Sequence, residues 1–325
     1  MKILWTHNFT PEVLNCGAFM FESARALREA GIDVDLLYLG DLRRPGGLRK
    51  AIAAVSGVAS NYDLVHAQYG SACGLATARA TQGAKVLTLR GSDWTPSHTN
   101  NPKFWLHGRL ARSMTLMSLP AYRHVICVSQ RIGRDVRRGH ARRSVHVVPS
   151  AVDTNKFLPM SKDECRRQLG LHPPPFQYVL FTSMDRNRES KRLGLATEAV
   201  AHARGTYPDL EILVASGVSH SEMPIYVNAC DVAICTSTTE GWPNSIKEAM
   251  SCNVPFVATD VSDLRSVARS AENCYVVDST PHALGDALVA VLRREDQFDI
   301  RQIAQKMNFT AFAEAHATVY RQVLQ

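Results

Sequence analysis

No apolar run in this 325-residue chain approaches the roughly 18 to 20 residues that cross a bilayer, which excludes a helical membrane-spanning class. The start, MKILWTHNF, lacks a signal-peptide pattern, because its apolar stretch is too short and polar residues follow at once. It reads as a first strand. The eight cysteines, at 16, 73, 127, 165, 230, 235, 252 and 274, contain no C-x-x-C pair. Several stand inside apolar runs, as Cys127 does in HVICVS, so the pattern points to reduced, buried thiols of a cytoplasmic protein and away from disulfides or zinc. Glycine is missing where a nicotinamide dehydrogenase would need G-x-G-x-x-G, since Gly17 stands alone after the first strand. His66 and His98 have no Cys or His at ligand spacing, which leaves them as packing or hydrogen-bonding residues.

Acid is scarce in one place. Residues 103–143 hold ten Lys or Arg, among them Lys103, Arg109, Arg112, Arg131 and Arg134, against the single acid Asp135. The segment therefore carries +9 in a chain whose total is +7. Such asymmetry calls for an anionic partner: a phosphorylated ligand, an acidic membrane surface or nucleic acid. Nucleic acid has the least support, because no recognition motif accompanies the charge.

What the chain does contain is a rhythm. Short apolar runs, most of them followed by segments of helical character, are KILW (2–5), IDVDLLYL (32–39), DLVHA (63–67), KVLTL (85–89), HVICVS (124–129) and VHVVPS (145–150). A second series follows: YVLFTS (178–183), LEILVAS (210–216), DVAICTS (231–237), PFVATD (255–260) and CYVV (274–277). Buried strands alternating with helices argue for two parallel sheets with helices on both faces, an α/β class. The polar stretch PSAVDTNKFLPMSKDE lies between the series and reads as a linker, with the junction near 150–160. A last helix is expected at about 309–324. The D-V-D at 33–35 alternates with Ile32, Val34 and Leu36, which places its acids on the solvent face of an edge strand and not around a metal.

In such sheets ligands gather beyond the carboxyl ends of the strands. After YVLFTS come Arg186, Arg188, Lys191 and Arg192, just before a helix near Leu193. Cations at a helix amino end are unfavourable unless an anion sits between them and the terminus, so the stretch reads as a phosphate site. After DVAICTS comes TSTTEGWPNSIKEAM, with Glu240 and Glu248 around Gly241-Trp242-Pro243-Asn244. Ser245-x-x-Glu248 is also a capping-box pattern, which would start a helix without any function. That reading leaves Glu240 and the stiff loop unexplained. Carboxylates accept hydrogen bonds from sugar hydroxyls, and N–H groups at Asn244 and Ser245 suit a phosphate.

The stretch EGWPNSIKEAMSCNVPFVATDVSD resembles the E-x7-E signature of the family-4 retaining glycosyltransferases, which have the GT-B fold. FESARALREAGIDVDLLYL, YDLVHAQYG, VLTLRGSDW, VICVSQRIGRDV and VHVVPSAVDTNKF match further landmarks of that family in order and spacing, so the likeness runs along nearly the whole chain. The resemblance implies two doubly wound Rossmann-like domains facing a central cleft. It implies an acceptor domain at 1–152, a nucleotide-sugar domain at 153–308, and a helix at 309–325 returning toward the first domain. It also implies roles for matched residues. Glu240, Arg188 and Lys191 would be catalytic, with the cations on the donor diphosphate and Glu240 on the sugar. Glu248 would hold the ribose; Arg186, Gly17, Gly241, Trp242, Asn244 and Ser245 would complete the donor site. His66, Tyr69, Arg90 and Asp93 would line the acceptor side. The resemblance implies no metal and no cofactor beyond the nucleotide diphosphate sugar co-substrate.

The chain departs from the family in three places. Arg90 stands where many members have His, Gln68 replaces a second His, and NCGAFM replaces a double glycine in the first loop. A strand–helix unit that the family usually has between LEILVAS and VSHSEMPIYVNACDV is mostly missing. Near the basic segment, KFWLHGRLARSMTLMSLPAYRH admits two readings. One is a core-packed helix that buries Phe104, Trp105, Leu110, Met114 and Met117. The other is an interfacial helix on anionic lipid, suited to a lipid-linked acceptor at the inner face of a bacterial membrane. The expected function is transfer of a sugar to an acceptor hydroxyl with retention, in surface polysaccharide assembly. The rivals are a GT-B phosphorylase or epimerase on the same nucleotide sugars, and a sugar-nucleotide binding protein without turnover.

Overall fold

The computed structural model describes residues 1–10, 17–96, 101–140, 142–294 and 299–325. The chain divides into two compact units: Met1–Ala151 with Phe309–Gln325, and Val152–Asn308.

The first unit holds a six-stranded sheet: β1 (Lys2–His7), β2 (Asp33–Tyr38), β3 (Leu64–Ala67), β4 (Lys85–Leu89), β5 (His124–Cys127) and β6 (Ser144–Val147). All pairings are parallel, in the order β2-β1-β3-β4-β5-β6. The strand order reverses at β1, which pairs with β2 on one side and β3 on the other. The second unit repeats the plan with β7 (Gln177–Ser183), β8 (Leu210–Ser216), β9 (Val232–Cys235), β10 (Phe256–Thr259) and β11 (Tyr275–Val277), in the order β11-β10-β9-β7-β8. Here the reversal lies at β7, between β8 and β9.

Central strands are covered on both faces, which is why β3, β4, β9 and β10 are buried along their full length and read as unbroken apolar runs. β2 is an edge strand, as its alternation predicts: Asp33 is exposed, and Asp35 accepts a hydrogen bond from Tyr62 Oη at 2.8 Å. The first core gathers Ile3, Trp5, Met20, Leu27, Val86 and Ile126, and also Phe312, Val319 and Tyr320 from the last helix, Phe309–Leu324. That helix belongs to the first unit although 157 residues of the second unit precede it. Trp5 Nε1 donates to Tyr320 Oη at 2.8 Å and anchors it. The second core is a separate cluster around Val179, Phe181, Val200, Ile234 and Leu288.

The boundary between the units, at Ala151 and Val152, falls within the expected junction, but the residues that follow it are not a free linker. Val152 N donates to Met307 O at 2.9 Å, and Phe157 is 1% exposed. Phe157 O accepts from Arg301 Nη1 at 2.8 Å, and Met160 N donates to Asn228 Oδ1 at 2.9 Å. Residues 152–160 are thus built into the second unit, because their polar backbone finds internal partners in place of water. The seven cysteines among the described residues are buried and unpaired, with burial pushing the thiols of Cys73, Cys127, Cys252 and Cys274 up to about 12. Cys16 and His98 lie outside the described residues.

Candidate active site

The carboxyl ends of the neighbouring strands β7 and β9, where the order of the second sheet reverses, carry the loops 184–192 and 236–243. These loops are sewn together. Thr238 N donates to Ser190 O at 2.9 Å, and Thr236 Oγ1 donates to Lys191 O at 2.6 Å. Arg192, held in the left-handed region at φ +54°, sends its fork to Thr236 O (2.5 Å), Ser237 O (3.2 Å) and Ser279 Oγ (2.5 Å). Its guanidinium is therefore a brace between loops and not part of a phosphate cluster, a correction to the run of four cations.

The brace sets Lys191 and Glu240 face to face. Lys191 Nζ lies 2.6 Å from Glu240 Oε1, which also accepts from Ser237 Oγ at 2.8 Å. Burial pushes the Glu240 carboxyl up, but the charge and hydrogen bond of Lys191, the Ser237 bond and the charge of Arg188 outweigh it and hold the group below its ordinary value. Glu240 is thus an anion at neutral pH. Arg186 and Arg188 are exposed on the same loop, with Arg188 Nε donating to Ser190 Oγ at 3.2 Å.

The helix Asn244–Ser251 starts at the end of the second loop, with Pro243 in the capping position and no side-chain cap. Its first internal bonds run from Ile246 and Lys247 to Pro243 O, so the N–H groups of Asn244 and Ser245 precede the ladder. The capping-box reading fails here, since Ser245 sits inside the helix. Glu248 instead meets His220, whose Nε2 is 3.3 Å from Glu248 Oε1. Gly241 O accepts from Ser262 Oγ at 2.5 Å, which fixes the loop. Trp242 is 8% exposed, with Lys247 Nζ 5.6 Å from its ring centroid. Its indole is packed inside the unit.

In the first unit, two of the four expected acceptor-side residues are buried among internal partners. His66 is fully buried, with Nδ1 2.7 Å from Tyr320 Oη and Nε2 2.7 Å from Thr88 Oγ1. Burial, with the nearby His316 and Arg90, holds its pKa well below the ordinary value, so the ring is neutral and both nitrogens are occupied. Asp93 is buried too and accepts backbone bonds from Gly70 (2.8 Å), Gly91 (2.8 Å) and Arg90 (3.0 Å). It shapes the turn after β4. Arg90 and Tyr69 are half-buried at these strand ends. Arg90 donates to Gln68 O (2.7 Å), Gln68 Oε1 (2.5 Å) and Ser150 Oγ (3.1 Å), three of its five N–H donors, and burial lowers its pKa to about 10. Tyr69 Oη is 2.6 Å from Ser92 Oγ. Gly17 opens the helix Ala18–Glu29 at φ +76°, and a Cβ there would stand 2.6 Å from Phe9 Cβ, so only glycine fits.

Two family models match the chain: one described as Glycosyltransferase Family 4 over residues 17–156, the other as Glycosyl transferases group 1 over 179–294. The chain belongs to the family-4 glycosyltransferases. A curated relative is the Bacillus subtilis (strain 168) protein named "Putative teichuronic acid biosynthesis glycosyltransferase TuaC", 24% identical over 246 residues. That match takes in 70% of this chain and spans about 60% of the relative's length. Among solved structures, sucrose-phosphate synthase from Thermosynechococcus elongatus superimposes with a TM-score of 0.80 at 18% identity, covering 99% of both chains. Anabaena Alr3699/HepE in complex with UDP-glucose gives 0.74 at 16% identity, covering 99% of this chain and 100% of that one. These likenesses establish the GT-B fold.

At this candidate site, three features escaped sequence reasoning: His220, Lys156 and the bracing role of Arg192. His220 follows β8, so the strand-end rule would have found it had it been applied to every loop. Among the described residues no group of three or more His, Cys, Asp or Glu is placed to hold a metal ion, and no helix is long and apolar enough to cross a membrane.

Proposed function

We propose that this chain transfers a sugar from a nucleotide diphosphate sugar to an acceptor hydroxyl with retention of anomeric configuration. The observation that carries the reading is the Lys191–Glu240 pair, an ionised carboxylate and a cation side by side where the second sheet's strand order reverses. Glu240 accepts hydrogen bonds from hydroxyls of the donor sugar, and Glu248 from the ribose diol. Arg188 and Lys191, with Arg186 beside them, and the N–H groups of Asn244 and Ser245 receive the diphosphate. A bond forms from the acceptor oxygen to the anomeric carbon while the bond from that carbon to the diphosphate oxygen breaks, and the proton of the acceptor hydroxyl passes to the departing diphosphate. Negative charge then collects on the leaving group, where fixed cations and a helix start stabilise it without a metal. The UDP and UDP-glucose named for HepE make uridine nucleotides the first donors to try.

The acceptor side is assigned to Arg90 and Tyr69 in the first unit, and the acceptor to a lipid-linked glycan. The helix Pro102–Ser118 supports this. Phe104, Trp105, Leu106, Leu110 and Met117 are 68, 49, 53, 50 and 61% exposed, so the core-packed reading of that segment is wrong. Its inner face is made by Thr115 and Ser118, and Thr115 Oγ1 donates to Asp93 O at 2.8 Å, on the acceptor turn itself. An apolar and basic surface next to that turn suits an anionic bilayer.

A thermal-shift panel of nucleotide diphosphate sugars on the wild type and on Glu248→Gln tests the donor site, because a ligand bound by the folded state alone raises the melting temperature. A shift with one nucleotide class, weakened in the variant, is expected. No shift with any donor, together with no nucleoside diphosphate release in the presence of a lipid-linked acceptor, refutes the reading. The anomeric configuration of the product, read by NMR, tests retention.

A further inference from the structure

Beyond the two glutamates, a chain of three side chains crosses the second unit. Lys156 Nζ lies 2.8 Å from His220 Nδ1, and His220 Nε2 lies 3.3 Å from Glu248 Oε1. An ammonium group has donors and no acceptor, so Lys156 can only donate, and His220 Nδ1 must accept. The ring proton then resides on Nε2, where it is donated to the Glu248 carboxylate. Lys156 thus fixes the tautomer of His220, and His220 fixes the orientation of Glu248.

Each member is held from behind. Asp153 Oδ1 accepts from the backbone N–H groups of Asn155 and Lys156, both at 3.0 Å, which sets the turn that presents Lys156. His220 packs on Phe157, with ring centroids 5.4 Å apart. Phe157 is buried, and its carbonyl is tied to Ser251 Oγ at 2.5 Å, on the helix that carries Glu248. The segment 152–157 therefore brings a cation to the site and locks the backbone beneath it.

We propose that His220, set by Lys156, is a positioning residue that orients Glu248 toward the ribose diol and so makes the site discriminate ribonucleotide from 2′-deoxyribonucleotide donors. This rests on the assignment of Glu248 to the ribose. A carboxylate has two oxygens and about four lone-pair sites, so the bond from His220 orients it without exhausting it. Left unheld, the carboxylate would still be present but would lose the fixed direction that two neighbouring hydroxyls require.

The experiment measures binding of UDP, ADP, GDP and CDP to the full chain by calorimetry, then compares the tightest ligand with its 2′-deoxy counterpart. The wild type is expected to bind the deoxy form about tenfold more weakly, the size of one lost hydrogen bond to a charged group. In His220→Ala the ribonucleotide weakens about fivefold to tenfold and the ratio falls toward one. His220→Gln, whose amide nitrogen can stand where Nε2 does, retains most of the discrimination, whereas His220→Asn does not. Lys156→Met, which frees the tautomer, lies between. Thermal unfolding of each variant reports folding separately, and a merely structural role would lower stability while leaving the ratio unchanged. A wild-type ratio that persists in His220→Ala overturns the inference while leaving the donor site standing. A wild type that binds none of the four overturns the donor assignment and the inference with it.

Discussion

Lys191 places its ammonium 2.6 Å from Oε1 of Glu240, from a loop forty-nine residues earlier in the chain. Both side chains are about one-fifth exposed, so the pair is sheltered but open to a ligand. Removing the cation tests its role on the leaving group. Lys191→Met is expected to lower kcat about 100-fold, with the donor KM changing far less, because the charge it meets develops in the transition state. Steady-state transfer kinetics check this, and equal losses of donor binding and kcat/KM at constant kcat would move Lys191 out of the catalytic set.

The same pair sets a pH dependence of stability. The folded Glu240 carboxyl titrates below its unfolded value, which is about 4.3 for a glutamate, so its contribution is present above that value. It is lost as pH falls through the lower folded value. At pH 7 the wild type should exceed Glu240→Gln by about 1 kcal/mol in urea unfolding. The gap should narrow steadily below about pH 4. A gap independent of pH would mean that the ion pair contributes nothing.

His66 offers the opposite case, a residue expected at a binding surface and found in the core. Tyr320 Oη receives Trp5 Nε1 and meets His66 Nδ1, so Tyr320→Phe removes one partner from each and leaves buried polar atoms unmatched. The expected cost is about 1–3 kcal/mol in chemical denaturation, with donor binding in the second unit unchanged. Preserved stability would return His66 to the list of candidate ligand-binding residues.

Arg192 makes a sharper test of how the loops are held. Its planar fork reaches two backbone carbonyls and a serine hydroxyl, a geometry that lysine cannot reproduce. Arg192→Lys should therefore behave like Arg192→Met, with each weakening nucleotide binding about tenfold although neither residue touches the ligand. Calorimetry with UDP measures it. Full rescue by lysine would assign Arg192 to the phosphates after all.

How far the sequence was legible follows from the range of each interaction. Every strand could be read, and KVLTL and LEILVAS match their bounds. KVLTL is the continuous apolar run that burial on both faces requires, whereas LEILVAS is a half-buried edge strand. The strand-end rule singled out Glu240, Lys191 and Glu248, and the structure pairs Glu240 with Lys191 and Glu248 with His220. His66 was not, since its strand looks like any other until Tyr320, 254 residues later, closes over it. The segment 152–160 looked like a linker because its composition is polar, yet its polar groups are satisfied by Met307, Asn228 and Arg301, which no local pattern announces. The helix Pro102–Ser118 misled for a related reason: it buries Thr115 and Ser118 and turns its large apolar side chains outward, inverting the usual amphipathic pattern.

That inversion supplies the last test. Arg109 lies over the ring of exposed Trp105 at 4.8 Å, so a cation and an aromatic share one exposed surface, while Arg112 lies over the buried Trp94 ring at 5.9 Å. A basic side chain near an anionic bilayer contributes about 1 kcal/mol, and an aromatic ring at the headgroup level adds apolar burial. The wild type should sediment with phosphatidylglycerol vesicles and much less with phosphatidylcholine vesicles. Raising the salt until the Debye length falls from about 30 Å to about 8 Å should release most of it. Trp105→Ala should weaken sedimentation even at low salt, and Arg109→Ala with Arg112→Ala should weaken it by about 2 kcal/mol, or roughly thirtyfold. Nucleotide binding in the second unit should be untouched in each variant. A wild type that ignores anionic vesicles at low salt would make the acceptor a soluble one and leave the exposed helix to another partner.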